Sequence, residues 1–578
     1  MTSREGLAGA RALTPPVATI AFAALAAAAP FELLHPALVF PGQKLTNLEC
    51  VVVSVIAMAA STLASQDLRR LARLPVARAA AVWLAVLLIA SVAAPAHAAN
   101  ALKTTGRAAA GVVVLLLAAG TITSERRLAA VAGAALGTGV VVAAIALFEH
   151  AQVRPVLAWL TRFRPGLSVV GGEIRAGSTL QYPTIASMYF ELVFAAGLGL
   201  LVAAAAARRW VPAALVGGSL LLVAEAVVLT LTRAGLITIA ALLAVALAAR
   251  MHGRGFDIAS RAMVAVAAGV AALVALAALG GPLLLRVQSA DDADWYHATY
   301  DVPRALTMNA GRWHQVAVHV SNTGEVTWRS DAAPPFYLAY HWMAANSGQY
   351  LQFDGTRTAF SAPVPPGSNT TVGAWVRPPD VPGHYRLAWD IVLEQRLWFG
   401  LHGSAPAFTD VNVVGGAGGA ALQPVIVIEP PRALRRLVLW RMAARMLARH
   451  PLLGVGPDNF RLDYGPQAGL SDADDRVTSN NMYVEQFAGA GLLGGAAFLW
   501  LVAIVAAAAW RGIRRDATPL AIGMAAAVTA VLIHGMVDTF LTFTPTYILI
   551  WLACATPFCV EMAARTKGPD CETDAHRL

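Results

Sequence analysis

The chain has 578 residues, 57% hydrophobic and 13% charged, with a mean hydropathy of +0.59. Soluble domains carry about 25% charged residues, so the composition excludes a soluble globular protein and indicates an integral membrane protein. The formal charge of +9 comes from arginines in short loops beside apolar runs, the pattern that orients membrane helices. No basic patch with interleaved aromatics points to nucleic acid.

A hydrocarbon core about 30 Å thick takes ~20 apolar residues per helix. On that ruler the chain predicts a polytopic α-helical protein of about twelve spans. They lie near 14–34, 46–65, 79–98, 107–123, 128–148, 185–206, 211–230, 234–250, 262–284, 489–510, 518–540 and 545–563. The first run lacks a small-residue cleavage site followed by a polar start, so it reads as a retained span. Arginine-bearing loops such as "DLRRLAR", "SERR", "ARRW", "RMHGRG" and "WRGIRR" fall at every second boundary. Positive loops stay inside, so both termini are expected in the cytoplasm, with 149–184 and 285–488 facing outward. Arg154, Arg162, Arg164 and Arg175 lie on the outward side against that rule and need another explanation. Cys50, Cys554, Cys559 and Cys571 have neither zinc nor redox spacing, and no disulfide framework is expected.

The chain divides by composition into 1–284 (nine spans), an outward insert 285–430, an amphipathic helix and loop 431–488, three spans 489–563 and a tail 564–578. Eight of the fourteen tryptophans lie between Trp295 and Trp440. "WHQVAVHVSNTGEVTW" and "TTVGAWVRPPDVPGHYRLAWDIV" alternate apolar and polar residues around Gly and Pro turns, which predicts an antiparallel β-sandwich at about 298–415. That stretch resembles immunoglobulin-like modules of bacterial carbohydrate-active proteins. Its Trp342, Tyr350 and Trp398 are candidates for stacking on sugars or for the core. In "PPRALRRLVLWRMAARMLARHP" the row Val438, Met442, Met446 lies beside Leu439, Ala443, Leu447, while Arg441, Arg445 and Arg449 form a separate face. This predicts an amphipathic helix on an anionic membrane surface.

Four polar stretches gather at the outward edge: "GGEIRAGSTLQYPTIASMYFE" with Arg175, "LTLTRAGLIT" with Arg233, "RLVLWRMAARMLARHPLLGVGPDNF" with Arg436, Arg441 and His450, and "TSNNMYVEQFAGAGLLG" with Asn480, Asn481 and Glu485. A charge at membrane depth costs about 2.5–3.5 kcal/mol. Arg233 interrupts some forty apolar residues, either as a helix-end arginine snorkelling to headgroups or as a fixed cation for a phosphate. His534 and Asp538 are four apart on the penultimate span and are expected to share a face as a stabilising pair. The acidic runs 291–294 and 472–475 lack calcium-loop spacing and read as solvated loops.

These stretches in this order, with "HGMVDTF", resemble the O-antigen ligase and polymerase family of bacterial inner membranes over roughly 170–250 and 430–545. The resemblance implies a glycosyltransferase working without nucleotide sugar, metal or other cofactor. Its donor is a glycan on undecaprenyl pyrophosphate; its acceptor is a hydroxyl of lipid A-core, another glycan or a protein. A family polymerase and a lipid-linked glycan transporter are the alternative readings. The expected substrate-binding residues are Arg175, Arg233, Arg436, Arg441 and His450, of which Arg175, Arg233 and Arg436 are the cations suited to a departing pyrophosphate. Where the family usually has a histidine base, this chain has Asn480, which orients a hydroxyl but takes no proton. Asn480, Asn481, Glu485 and Arg233 are therefore the expected catalytic set; either the base is elsewhere, at Glu485 (favoured, on one face with Asn481) or at His450, or the reaction leans on leaving-group stabilisation.

Overall fold

In the computed structural model, which describes residues 14–566 apart from 41–42, 171–172, 280–282, 285, 287–294, 333, 395, 417–421, 426–435, 469–472 and 517, every predicted apolar run contains a helix. The first is α1 (Thr14–Ala28), joined by the hairpin β1 (Leu38–Phe40) and β2 (Gln43–Leu45) to the bent pair α2 (Asn47–Ser61) and α3 (Ser65–Ala72). Next come α4 (Pro75–Val92), α5 (Ala98–Thr121), α6 (Glu125–His150) and short α7 (Arg154–Leu160). A second hairpin, β3 (Ser168–Val170) with β4 (Glu173–Arg175), leads into α8 (Pro183–Ala206), α9 (Trp210–Leu229), α10 (Arg233–Arg254) and α11 (Ile258–Leu279). After the insert follow α12 (Arg436–Arg449), α13 (Phe460–Ala468), α14 (Met482–Asp516), α15 (Pro519–His534) and α16 (Thr544–Thr566).

Eight of these helices are long and apolar enough to cross a membrane: α4, α5, α6, α8, α9, α10, α11 and α14. The pair α2–α3, bent by 112°, makes a ninth if counted as one span, and α1, α15 and α16 carry only shorter apolar stretches. By length and composition the expected count of twelve thus falls to eight or nine among the described residues. α15 stops at His534, where a turn begins.

The helical unit ends at Ala277 and resumes at Pro431. At its centre is α8, whose apolar stretch is 89% buried, whereas α11 buries 17% of its own and lies at the periphery. α8 packs on α6, α9, α10, α15 and α16, so its side chains are positioned by five neighbours at once.

α14 is broken at Gly491, whose backbone (φ 67°, ψ −167°) lies in a region essentially reserved for glycine. The loop 451–456 fills the break. Leu492 and Leu493 amides donate to the Pro451 and Leu452 carbonyls (2.8 and 3.3 Å), while Val455 and Gly456 amides donate to Ala488 and Gly489 carbonyls (3.0 and 2.8 Å). Groups freed by the kink are thereby paired rather than left dry in a nonpolar setting. A Cβ at 491 would sit 2.3 Å from the Leu452 carbonyl, so loop and kink require the glycine.

The predicted amphipathic helix is present as α12, but its apolar face is not free for lipid. Leu439, Met442, Ala443 and Met446 are buried with Val455, Phe460, Tyr464 and Ala488. The motif loop and the first turns of α14 compete for that surface and win it, because a preformed apolar cluster removes it from water without waiting for a membrane.

The second unit, Ala278–Pro430 with Val169–Ile174, is built of two sheets. One joins β11 (Asn369–Val376), β7 (His314–Asn322) and β5 (Ala298–Asp301). The other has the path β10 (Thr358–Ala359), β8 (Phe336–Ala344), β12 (Gly383–Leu393), β14 (Ala407–Val414) and β6 (Ala305–Asn309), with β9 (Tyr350–Gln352) on β8 and β13 (Leu397–Trp398) on β12. All pairings are antiparallel except β14 with β6. Burial alternates along β7, β11 and β14, as period-two side chains on half-buried sheets must. Trp295, Trp328, Trp342 and Trp389 are fully buried. Trp342 is therefore a core residue; it donates to the Arg377 carbonyl (3.0 Å). Tyr350 and Trp398 are half-buried around His341, which is packed on Phe353 and bonded to Asp390.

Candidate active site

Two of the arginines expected on the outward side are held by bonds within the fold. Arg164 is 2% exposed and bonded to Glu149, which is fully buried at the end of α6. The second Glu149 oxygen accepts the Ser178 amide (2.7 Å), and Ser178 Oγ donates to the Val142 carbonyl. That buried pair fixes the turn 176–180 and with it Arg175. Arg175 Nε donates to the Thr230 carbonyl (3.0 Å) and Nη2 to Thr232 Oγ1 (3.3 Å), and the Ala176 amide donates to Leu229.

Thr230–Thr232 is the break between α9 and α10, so Arg175 lies against the segment that carries Arg233. Arg233 opens α10, is half-buried, and makes no side-chain hydrogen bond or ion pair among the described residues. A cation at the positive end of a helix dipole opposes it by about 0.3–1 kcal/mol. The placement costs stability, whereas an anion at the same spot gains both the guanidinium and the helix end.

Two residues further, Gly235 leaves room for α8: a Cβ there would meet Ser187 Oγ at 2.1 Å and Glu191 Oε1 at 3.1 Å. Ser187 Oγ donates to Glu191 (2.8 Å), and His534 Nδ1 lies 2.8 and 3.0 Å from the two Glu191 oxygens. Both are about 1% exposed or less. This corrects the expected His534–Asp538 pair. α15 ends at His534, so Asp538 sits in the following turn, accepts the Thr539 amide, and the carboxylate on His534 is Glu191. Arg436 lies near enough for its charge to act on His534 and Asp538.

The same turn holds the start of α14. The Met482 amide donates to the Gly535 carbonyl (2.8 Å) and Asn481 Nδ2 to the Met536 carbonyl (2.7 Å). Asn481 Oδ1 accepts the amides of Tyr483 and Val484, which makes it the cap of α14. These bonds use both acceptor sites of its side-chain oxygen and one of its two N–H donors. Asn480 differs: its backbone is left-handed (φ 50°), its side chain is half-buried, and it makes no side-chain hydrogen bond among the described residues. Asparagine and histidine are both enriched in that conformation, so the family's histidine fits the same backbone.

Glu485 is 5% exposed; Oε2 accepts the Ser479 amide (3.0 Å) and Oε1 has no partner among the described residues. It lines a pocket with Arg107, Asp458, Gln486, Thr539 and Thr542, and the charges acting on it include Asp458 and Arg461. Asn481 and Glu485 are one helical turn apart, as expected, and one of the two Glu485 oxygens holds Ser479 beside Asn480. Ser479 is held a second time through its carbonyl, which accepts Trp440 Nε1 (3.0 Å).

Two expected binding residues lie elsewhere. Arg441 is exposed on α12 without a partner among the described residues. His450, at the end of α12, is close to Asp463, whose carboxyl is pushed up by burial against the pull of His97 and His450. The "GPDNF" motif is a clamp: Asp458 and Asn459 accept from Asn100 Nδ2, and Arg461 bonds Asp458 and Asn100. Of the acidic runs, Asp474 is held below the usual carboxylate range by its bond to Arg476; 291–294 lies outside the described residues. No group of three or more His, Cys, Asp or Glu among the described residues is arranged for a metal.

Glu149 and Glu191, which fix this lip, were not among the residues singled out from sequence. Each is a lone acid inside an apolar run, "ALFEH" and "MYFELVF", and such an acid is a signal for a buried partner. No curated protein matches this chain. Residues 429–499, which include α12, α13 and the first half of α14, match the family model for O-antigen ligase, the family that the ordered motifs resemble.

Proposed function

We propose that this protein is a membrane glycosyltransferase of the O-antigen ligase kind, moving a glycan from undecaprenyl pyrophosphate to an acceptor hydroxyl on the outer face. The observation that carries this reading is that Arg175 is bonded to the Thr230–Thr232 break, directly before Arg233 at the start of α10. That break joins through Gly235, Glu191, His534 and Met536 to the start of α14.

Arg175 and Arg233 receive the pyrophosphate, and Arg436 adds long-range positive charge. Asn480 orients the acceptor hydroxyl. The acceptor oxygen forms the bond to the anomeric carbon, and the bond from that carbon to the pyrophosphate oxygen breaks. Its electron pair leaves with undecaprenyl pyrophosphate, which also takes the hydroxyl proton. Fixed guanidinium groups aimed at the developing charge lower this barrier without reorganising. Asn481 and Glu485 are positioning residues here, since one caps α14 and the other holds Ser479. Arg441 and His450 remain available to the acceptor or to lipid headgroups.

The test is the lipid-linked glycan of a strain lacking this protein. Long chains stranded on the carrier support a ligase, single repeat units support a polymerase, and an unchanged carrier pool rules out the transferase reading.

A further inference from the structure

We propose that the outward face of the β5–β7–β11 sheet binds a neutral glycan chain through Trp313 and Trp375. The two tryptophans are 54% and 49% exposed, although the other large aromatics of β8 and β12 are mostly inside. An exposed indole pair forgoes the burial that tryptophan otherwise supplies.

Register puts the two on one side of the sheet. Trp375 pairs directly with Gln315 across β11 and β7, and Trp313 is two residues before Gln315, about 7 Å along the strand direction. Gln315 Nε2 donates to the Gly373 carbonyl (3.4 Å), which lays its amide over Gly373 beside Trp375. Further along, Thr371 Oγ1 is 3.0 Å from His319 Nδ1, and Asp301 pairs with His319 in the next strand. The face thus offers stacking surfaces at one end and neutral donors and acceptors beyond, over about 13 Å from position 375 to 371.

Charge decides between occupants. The outward positions within β5, β7 and β11 carry no Lys or Arg and one carboxylate, Asp301; at the tryptophan end lie exposed Arg312 and Arg377, the latter paired with Asp380 (3.6 Å), so that no basic cluster forms. An anionic bilayer is attracted by clusters of basic residues, and nucleic acid needs the same. Apolar faces of sugar rings on indoles, with hydroxyls on amide, hydroxyl and carboxylate groups, match what is present. The choice of a glycan rests on the transferase reading; the site itself is read by binding rather than by transfer.

The test uses the full chain in phosphatidylcholine nanodiscs, titrated with neutral hexasaccharides (cellohexaose, laminarihexaose and maltohexaose) by calorimetry. At least one is expected to bind. Trp313→Ala and Trp375→Ala should each weaken it about tenfold, as an aromatic stacking contact implies. Trp375→Tyr should retain most of the binding, and the unfolding transition should not move. Arg233→Ala, dead in transfer, should still bind, which separates this site from the transferase reading. Absence of binding to all three sugars overturns the proposal, as does wild-type affinity in both alanine variants. Phosphatidylglycerol vesicles held through the two tryptophans in place of sugar would overturn it too.

Discussion

Gly491→Ala probes the join between the motif loop and α14. The alanine must hold φ 67° and ψ −167°, a strain of about 1–3 kcal/mol. Its Cβ also arrives 2.3 Å from the Leu452 carbonyl carbon and oxygen, which forces 451–456 away and uncovers the Leu492 and Leu493 amides, each worth about 1 kcal/mol. The expected local cost is about 3–5 kcal/mol, or roughly 10²–10⁴ in the opening equilibrium. Hydrogen exchange read by mass spectrometry on peptides covering 451–456 and 491–494 should accelerate by that factor. Gly137, with open space around its Cβ position, supplies the control, and Gly137→Ala should leave exchange unchanged. Full protection in Gly491→Ala would refute the claim that the loop is held by the kink.

Glu149→Gln should lower thermal stability in nanodiscs by about 3–5 kcal/mol, because it strands a buried guanidinium; the pair Glu149→Leu with Arg164→Met should recover most of it, and a null effect in Glu149→Gln would contradict the burial. Asn480→His should keep the fold and the activity, since histidine accepts φ 50°, whereas Asn480→Val should lose activity; equal activity in both would remove Asn480 from the site. Glu485→Gln keeps an oxygen for the Ser479 amide and should stay within a few fold in turnover, while Glu485→Ala should fall further; a large drop in Glu485→Gln with intact donor binding would restore Glu485 as the proton acceptor.

Much of the bundle was legible because an apolar run of about twenty residues has few other fates. The limits of α15 were not, since periodicity continues through "HGMVDTF" while the chain turns at Gly535. The alternating runs of the insert predicted strands, yet they could not say which tryptophans face water. Trp342 and Trp375 look alike in sequence, and register decides between them. At the site, Arg233 stood out because nothing in an apolar run hides a guanidinium. Asn481 and Glu485 attracted attention for the same polarity but are used within the fold, as a helix cap and a backbone tether. His534 could be paired only with the carboxylate its own helix offered. Its real partner, Glu191, lies 343 residues away, a contact that helix periodicity cannot reach.

The central claim is that Arg233 stabilises a departing pyrophosphate. The most direct measurement is glycan transfer from an undecaprenyl-pyrophosphate donor by purified protein, comparing wild type, Arg233→Lys and Arg233→Ala at equal folded amounts. Lysine keeps the charge but loses the two-pronged hydrogen bond, about 1.5–3 kcal/mol. The account predicts turnover down about 10–100-fold for lysine, with alanine lower still and all three proteins equally stable. Near-normal transfer by Arg233→Ala would contradict it, and loss of the folded protein would show Arg233 to be structural.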